Sequence, residues 1–396
     1  THKKESRPQT ATSDMKIVFQ KSKLLEKLYP CMGTVSTKNS IPSIEGVLIE
    51  TMGGNTVRLS TYDMNKGVRA TLEAEAVLEP GSFIISAGRL LQIIKVLPND
   101  ELTIAVDDSL NTTVTSGKAS FSLSALPGKD FPTMPELSGP RGFEVESEIL
   151  KDMIGKVLHS VAEQDSRPML CGAFFRIMEN RMELISCDSY TLSRRAVSCE
   201  LRDVGEVSVM DFSFLVPGHA LNELVRILGD GDEITCVKIA RKHAIFFFDD
   251  IIFFTRMIDS EYIDYERIIP KDQTIHVTVD RERMLAALER ATLIAEERIV
   301  GTGRNYVKII LDGNVMSITS TSVNGKVYDE MPITHEGEDL EIGFNCRYLI
   351  NSIRATEGEY LDLSFQSPTQ SVTVRPHEKS EEKSFFYMVL PVRMNG

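Results

Sequence analysis

The chain has 396 residues, with 44 Lys and Arg against 57 Asp and Glu, a net charge of −13. At 42% hydrophobic and 26% charged it is of ordinary globular composition, which excludes collagen-like and disordered classes and leaves room for roughly two to four domains. No apolar run approaches the roughly 18 residues of a membrane span, and the polar segment 1–14 lacks the apolar centre of a secretory signal.

Residues 1–14 read as a flexible leader, with the first regular segment opening at Met15. Leu24, Leu25 and Leu28 mark a helix, Val47-Leu-Ile a strand, and Val57-Arg-Leu-Ser-Thr-Tyr-Asp63 an alternating strand. Phe83-Ile-Ile-Ser-Ala-Gly-Arg-Leu-Leu-Gln-Ile-Ile-Lys95 predicts a short strand, a break and a helix, and Ala119-Ser-Phe-Ser-Leu-Ser predicts a later strand. The same order then returns. Met153, Ile154, Val157 and Leu158 predict a helix over 148–162, Ala173-Phe-Phe a strand, and Met182-Glu-Leu-Ile-Ser-Cys-Asp188 an alternating strand. In Phe214-Leu-Val-Pro-Gly-His-Ala-Leu-Asn-Glu-Leu-Val-Arg226 the positions Leu221, Leu224, Val225 and, just beyond, Leu228 fall on one helical face. Ile245-Phe-Phe-Phe-Asp-Asp-Ile-Ile-Phe-Phe reads as a hairpin turning at Asp249-Asp250. The third pass runs through Met284, Leu285 and Leu288, Val307-Lys-Ile-Ile, Val315-Met-Ser-Ile-Thr-Ser-Thr, Ile342-Gly-Phe-Asn-Cys-Arg-Tyr-Leu-Ile-Asn-Ser-Ile-Arg354 and Phe385-Phe-Tyr-Met-Val-Leu-Pro-Val-Arg393.

Lys95, Arg226 and Arg354 are separated by 131 and 128 positions, and Leu90, Leu221 and Leu349 by the same two intervals. An acidic turn follows each copy: Pro98-Asn-Asp, Gly229-Asp-Gly-Asp and Glu357-Gly-Glu. A unit of about 125 residues is domain-sized, whereas solenoid periods run roughly 20–50. The expected architecture is therefore three α+β domains of one design, at 15–138, 142–270 and 273–394, with polar Gly- and Pro-bearing breaks between them.

Chemistry is harder to find. The six cysteines show no C-x-x-C spacing and the seven histidines are scattered, so reduced thiols and no metal or cofactor are expected. No G-x-x-x-x-G-K-[ST], H-E-x-x-H or G-x-S-x-G occurs, and Gly301-Thr-Gly-Arg lacks the strand-loop-helix context of a phosphate loop. Asp63 and Asp188 occupy equivalent places after a strand, where an Asp caps a turn; an acid–base pair is the weaker reading. The predicted helical segments carry a net +6, leaving −19 on the remainder. Such a distribution suits either a face that holds a polyanion loosely or an ordinary solvated helix face. The apolar end Met388-Val-Leu-Pro-Val-Arg393 is either packed into its domain or kept for a partner.

The threefold repeat, the opening Met15-Lys-Ile-Val-Phe, the stretch Leu123-Ser-Ala-Leu-Pro-Gly-Lys-Asp-Phe-Pro132 and the ending Tyr387-Met-Val-Leu-Pro-Val-Arg393 together resemble the bacterial β sliding clamp family, the processivity subunit of DNA polymerase III. The resemblance spans Met15 to Met394. It implies a non-catalytic cytoplasmic protein, with two helices per domain packed on antiparallel sheets. Six domains would close as a head-to-tail homodimeric ring around double-stranded DNA, without sequence specificity. By the same resemblance Lys38, Gln164 and Arg167 would face the DNA, together with Lys95, Arg226 and Arg354 of the second helices. The implied partner-peptide pocket comprises Leu170, Cys187, Tyr190, Leu192, Ile263, Arg267, Ile268, Asn345, Tyr348, Met388, Val389, Leu390, Pro391, Val392 and Arg393. Its occupants would be short apolar peptides of the polymerase III catalytic subunit, the clamp loader, other polymerases and repair proteins. Arg89, Phe121 and Leu123 match one side of the dimer seam, and Leu293 and Ile294 the other. The chain departs from the family pattern at Asp188-Ser-Tyr-Thr-Leu192, where Gly/Ser-His-Arg-Leu is frequent, at Ile263, where proline is frequent, and in the extra Asn395-Gly396. The alternatives are a peptide-binding scaffold that does not engage DNA and an unrecognised enzyme on the same repeated fold.

Overall fold

The structure, a computed structural model, describes residues 14–36, 41–207, 209–229, 233–295, 306–323 and 325–394. Residues 1–13 of the leader, Lys38, the Gly301-Thr-Gly-Arg loop and Asn395-Gly396 lie outside the described residues. The chain forms two compact units, one of residues 1–142 with 233–256 and one of residues 143–232 with 257–396.

Among the described residues six helices recur in pairs, five entered directly from a strand and the last through its cap Asn345: α1 (Lys21–Cys31), α2 (Ala87–Val96), α3 (Ser147–Gly155), α4 (Gly218–Ile227), α5 (Arg281–Ala295) and α6 (Cys346–Ala355). The strand-then-helix segments expected around Lys95, Arg226 and Arg354 are thus Ser82–Ser86 with α2, Phe212–Pro217 with α4 and Leu340–Phe344 with α6. α3 is shorter than the expected 148–162. It stops at Gly155, and the chain continues as a 3₁₀ turn at Leu158–Ser160. The apolar spacing ran on because Val157, past the helix end, is itself fully buried.

In the first unit the strands lie in the order Ile234–Ile239, His243–Phe248, Ile251–Arg256, Lys66–Glu73, Thr56–Tyr62, Gly46–Gly53, Ser82–Ser86, Ala119–Pro127, Asn111–Ser116, Glu101–Val106, Met15–Gln20 and Ala76–Glu79. The Asp249-Asp250 turn closes its hairpin with Asp249 at φ 49°. Asp249 also receives the buried Lys27 ammonium at 2.9 Å.

The second unit holds a nine-stranded sheet in the order Phe212–Pro217, Gly172–Met178, Arg181–Cys187, Thr191–Ser198, Lys383–Val389, Val372–Pro376, Tyr360–Phe365, Ile275–Asp280, Thr334–Glu336. A four-stranded sheet of Lys326–Pro332, Val315–Thr321, Val307–Asp312 and Leu340–Phe344 completes it. One core runs from Met284, Ala287 and Leu288 of α5 through Leu349 and Ile353 of α6 to Phe365 and Tyr387. Apolar side chains at i, i+3 and i+4 place each helix on its sheet.

A threefold device ties each helix pair together. Lys21 Nζ donates to Lys95 O (3.2 Å) in the last turn of α2 and to Leu97 O (2.8 Å) just past it. Lys151 Nζ donates to Leu228 O (3.1 Å) beyond α4. Arg281 donates to Ile353 O (3.2 Å) and Arg354 O (3.4 Å) at the end of α6. In each case a cation on the first helix donates to carbonyls at the C-terminal end of the second, the negative end of its dipole.

Candidate functional site

The second unit carries a candidate groove built on paired strands. Thr191–Ser198 and Lys383–Val389 run antiparallel, with Leu192 opposite Met388 and Arg194 opposite Phe386. Cys187 lies opposite Leu192 on the other side. Strand alternation brings these side chains to one face. There Leu170, Ile185, Cys187, Leu192, Tyr265, Phe386 and Met388 form a buried apolar cluster, with Tyr262 and Ile263 packed on it. The 3₁₀ turn Pro168–Cys171 presents Leu170. Tyr262 stacks on Phe174 with centroids 4.9 Å apart and donates to Ile185 O at 3.4 Å.

The rim is as exposed as the floor is buried. Tyr190 is 57% exposed, Ile268 44% and Leu390 39%. Tyr190 stacks on Tyr348 of α6 at 5.8 Å. Asp188 positions Tyr190: its Oδ1 accepts from the N–H of Tyr190 (2.9 Å) and of Thr191 (2.7 Å), with Ser189 between them at φ 78°. Asp63 does the same for Asn65 (3.0 Å) and Lys66 (2.8 Å), with Met64 at φ 76°. Both aspartates are turn caps, as the equivalent placement implied.

The chain end forms one wall. Leu390 N–H donates to Tyr190 O and Val392 N–H to Gly343 O, each at 2.9 Å. Val389 is buried, Pro391 and Val392 are half-buried, and Arg393 is exposed. Asn345 acts locally, accepting from Arg347 N–H at 3.0 Å to cap α6. Arg267 is exposed and pairs with Asp264 at 2.8 Å. Sequence reasoning did not name Ile185, Tyr262, Tyr265 or Phe386. Phe386 and Ile185 were within reach, because they stand two positions from Met388 and Cys187 along their strands.

Burial raises the Cys187 thiol and the Asp188 carboxyl above their ordinary ranges. Cys187 is therefore a neutral, compact apolar group, and the surface it helps to form is apolar rather than catalytic in character. Behind it, hydroxyls connect Asp188 inward: Thr191 Oγ1 donates to Ser160 Oγ (2.8 Å), which meets Ser193 Oγ (2.6 Å), which meets His159 Nε2 (3.1 Å). Burial pushes His159 down to about 4, so the ring is neutral near pH 7.

Lys95, Arg226 and Arg354 each sit exposed in the last turn of α2, α4 and α6. Lys95 lies 5.0 Å from the Tyr29 ring centre, Arg226 pairs with Glu223 (2.9 Å) and Arg354 with Glu289 (2.7 Å). Gln164 is exposed. Arg167 pairs with Asp165 (3.0 Å) and also donates to Ser189, which ties it to the Tyr190 turn.

At the seam positions, Arg89 is exposed on α2 and Leu293 is 75% exposed on α5, next to the half-buried Ile294. Phe121 and Leu123 lie on the first half of Ala119–Pro127, which pairs with Asn111–Ser116 through Ser124 and with Ser82–Ser86 only from Ala125 onward.

Three family models match in succession: DNA polymerase III beta subunit N-terminal domain over residues 15–135, central domain over 144–264 and C-terminal domain over 266–393. The chain belongs to the DNA polymerase III beta subunit family, and its three repeats are the three clamp domains. The beta sliding clamp of Bacillus subtilis is 26% identical over 390 residues, covering 96% of this chain and all of that protein. That of Halalkalibacterium halodurans is 28% identical over 386 residues, covering 94% and 98%. The crystal structure of the Bacillus subtilis DNA polymerase sliding clamp matches with a TM-score of 0.88 at 25% identity, covering 97% of this chain and all of that one. A Pseudomonas aeruginosa sliding clamp bound to griselimycin shares the fold, with a TM-score of 0.86 at 24% identity, covering 96% of this chain and all of that one.

Proposed function

We propose that two copies of this chain close head to tail into a six-domain ring around duplex DNA, and that the groove beside Leu192 and Met388 tethers polymerases and other replication or repair proteins through short apolar peptides. The role is that of a sliding clamp, a non-catalytic processivity factor of DNA polymerase III. The observation that carries it is the match of three successive clamp domains along almost the whole chain. Domain bounds of 15–138, 142–270 and 273–394 are our division of it, and the cytoplasm our placement. Among the described residues no helix is long and apolar enough to cross a membrane.

Edge geometry supports the ring. Ala119–Ser124 has strand neighbours on one side only among the described residues, and Lys326–Pro332 ends its sheet. Pairing these edges between subunits would hide two open ladders, with Leu293 and Ile294 meeting Phe121 and Leu123. DNA inside would be held at phosphates by helix-end cations and by Lys38 and Gln164, weakly enough to slide. Tethering raises the local concentration of a bound polymerase at the primer end without any covalent step.

The test is solution mass by light scattering over a dilution series, followed by retention on closed circular DNA. The expected species has about twice 44.3 kDa, and Leu293→Asp halves it. Once loaded, the wild type stays on the circle and runs off when the DNA is linearised. A persistent monomer, or equal retention on linear DNA, overturns the ring.

A further inference from the structure

The groove does not end at its apolar cluster. Arg375, on the next strand Val372–Pro376, lies over the Phe386 ring at 5.0 Å from its centre. Phe386 belongs to the groove floor. On its other flank Arg375 is paired in register with Asp362, and Asp362 with Thr278. These residues line a second cavity of about 560 Å³ on the nine-stranded sheet, closed on one side by the chain between Pro376 and Lys383. One side chain, Arg375, therefore separates the apolar groove from a polar one.

Charge within this cavity is unevenly placed. Arg375, Lys379 and Lys383 have no carboxylate within ion-pair distance among the described residues, although the chain carries a net charge of −13. Asp362 is already engaged by Thr278 Oγ1 and His377 Nδ1, both at 2.8 Å. Glu336 stands on the strand at the outer edge of the sheet, and Glu378 beside Lys379 in the connecting segment. On the two strands nearest Phe386 the lining cations are thus Arg375 and Lys383, whereas Asp362 and Glu336 lie on strands farther along the sheet. Unpaired cations around a concave polar site favour an anionic ligand.

We propose that this cavity is an extension of the peptide groove that receives the acidic flank of a partner peptide whose apolar anchors occupy the cluster of Leu192, Met388 and Phe386. The inference rests on the peptide-groove reading above. Anchors supply most of the affinity, while Arg375, Lys379 and Lys383 select among peptides with similar anchors by their flanking charge.

The probes are synthetic fluorescent peptides that share one Leu/Phe anchor segment and carry four Glu or four Gln at either end. Their anisotropy is read against the wild type and the Lys379→Gln/Lys383→Gln double variant at low and high salt. The unlabelled anchor segment without a tail serves as competitor for the anchor site. Three exposed charge pairs should make one Glu-tailed peptide bind about tenfold more tightly than its Gln counterpart at low salt. That advantage should vanish in the double variant and at high salt, while Gln-tailed affinity holds. Equal binding of Glu- and Gln-tailed peptides that the untailed segment displaces overturns the extension alone. Failure of every peptide to bind overturns the groove reading and the extension with it. A single-stranded oligonucleotide that competes with the Glu tail at these lysines more strongly than an acidic peptide would assign the cavity to nucleic acid and overturn it too.

Discussion

The same strand junction is built twice in this chain, and only one copy leaves a groove. In the first unit Lys66–Glu73 pairs with Ile251–Arg256; in the second Thr191–Ser198 pairs with Lys383–Val389. Both follow an Asp-capped turn, at Asp63 and at Asp188. Gly67 takes the place of Leu192 and Phe254 that of Met388. With no side chain at Gly67, the Phe254 ring settles against the backbone: a Cβ there would lie 2.4 Å from Cζ. Tyr62 packs on the same ring at 5.5 Å, and Phe131, Met134 and Leu137 lie over the cluster. The first junction fills its own pocket. At the second, Leu192 and Met388 are buried, and Tyr190, Ile268 and Leu390 stand exposed near them. One architecture thus yields a closed core at the first junction and, at the second, the exposed apolar rim on which the proposed peptide site rests.

The two junctions also differ beneath the surface. Ala70 is buried where the second junction has Arg195, which is 2% exposed. Arg195 reaches Asp152 on α3 and Glu357 after α6 (3.3 Å), with its guanidinium 4.1 Å from the Phe385 ring centre. Replacing Arg195 with the alanine of the other junction should have the largest effect. It removes the ring contact and leaves two carboxylates facing an apolar space. Because both carboxylates are about 40% exposed and can hydrate, the expected loss is about 3–4 kcal/mol, near the lower end for breaking a buried pair. Chemical denaturation of Arg195→Ala against wild type measures it. A loss below about 1 kcal/mol would mean the cluster does not hold the junction.

Converting the first junction toward the second is the next test. Gly67→Leu drives a branched side chain into the Phe254 ring, and should cost about 3 kcal/mol by overpacking. Adding Phe254→Met, the residue of the second junction, should recover most of that loss. If the double variant is no more stable than the single one, backbone rather than side-chain volume separates the two junctions. The same denaturation experiment reads both.

Much of this was legible in the sequence. Period-2 and period-3.6 apolar patterns marked the strands and helices, because each element buries one face, and the Asp63 and Asp188 turns were marked by their equivalent places. What escaped depended on partners remote in sequence. Lys21, Lys151 and Arg281 contributed to the net positive charge assigned to the helical segments, yet each is engaged with helix-end carbonyls more than 70 residues away. The helix cations left for a polyanion are correspondingly fewer. Arg195 was invisible for the same reason: nothing local distinguishes a buried arginine from a solvated one. The groove was legible only through resemblance, since its apolar residues come from four separated stretches.

The smallest effect separates the junctions by pH. The second has His159, in the 3₁₀ turn Leu158–Ser160, where the matching turn Met32–Thr34 has Gly33. His159 Nε2 meets Ser193 Oγ at 3.1 Å and its ring packs on Tyr387 at 5.5 Å. Burial lowers its pKa from 6.5 to about 4. Between those values the unfolded chain binds a proton that the folded chain refuses, so stability rises with pH across the window and is lost as pH falls from 6.5 toward 4. A single group with this shift contributes about 2 kcal/mol of loss between pH 7 and 5. Asp188, raised by burial, works in the opposite sense nearer the carboxylate range, so the informative quantity is the difference between wild type and His159→Gln. Glutamine keeps a polar partner for Ser193 and does not titrate, and its stability should fall less between pH 7 and 5. Parallel curves for the two proteins would show that His159 takes up its proton in the folded state, with the hydroxyl chain behind the groove open to water.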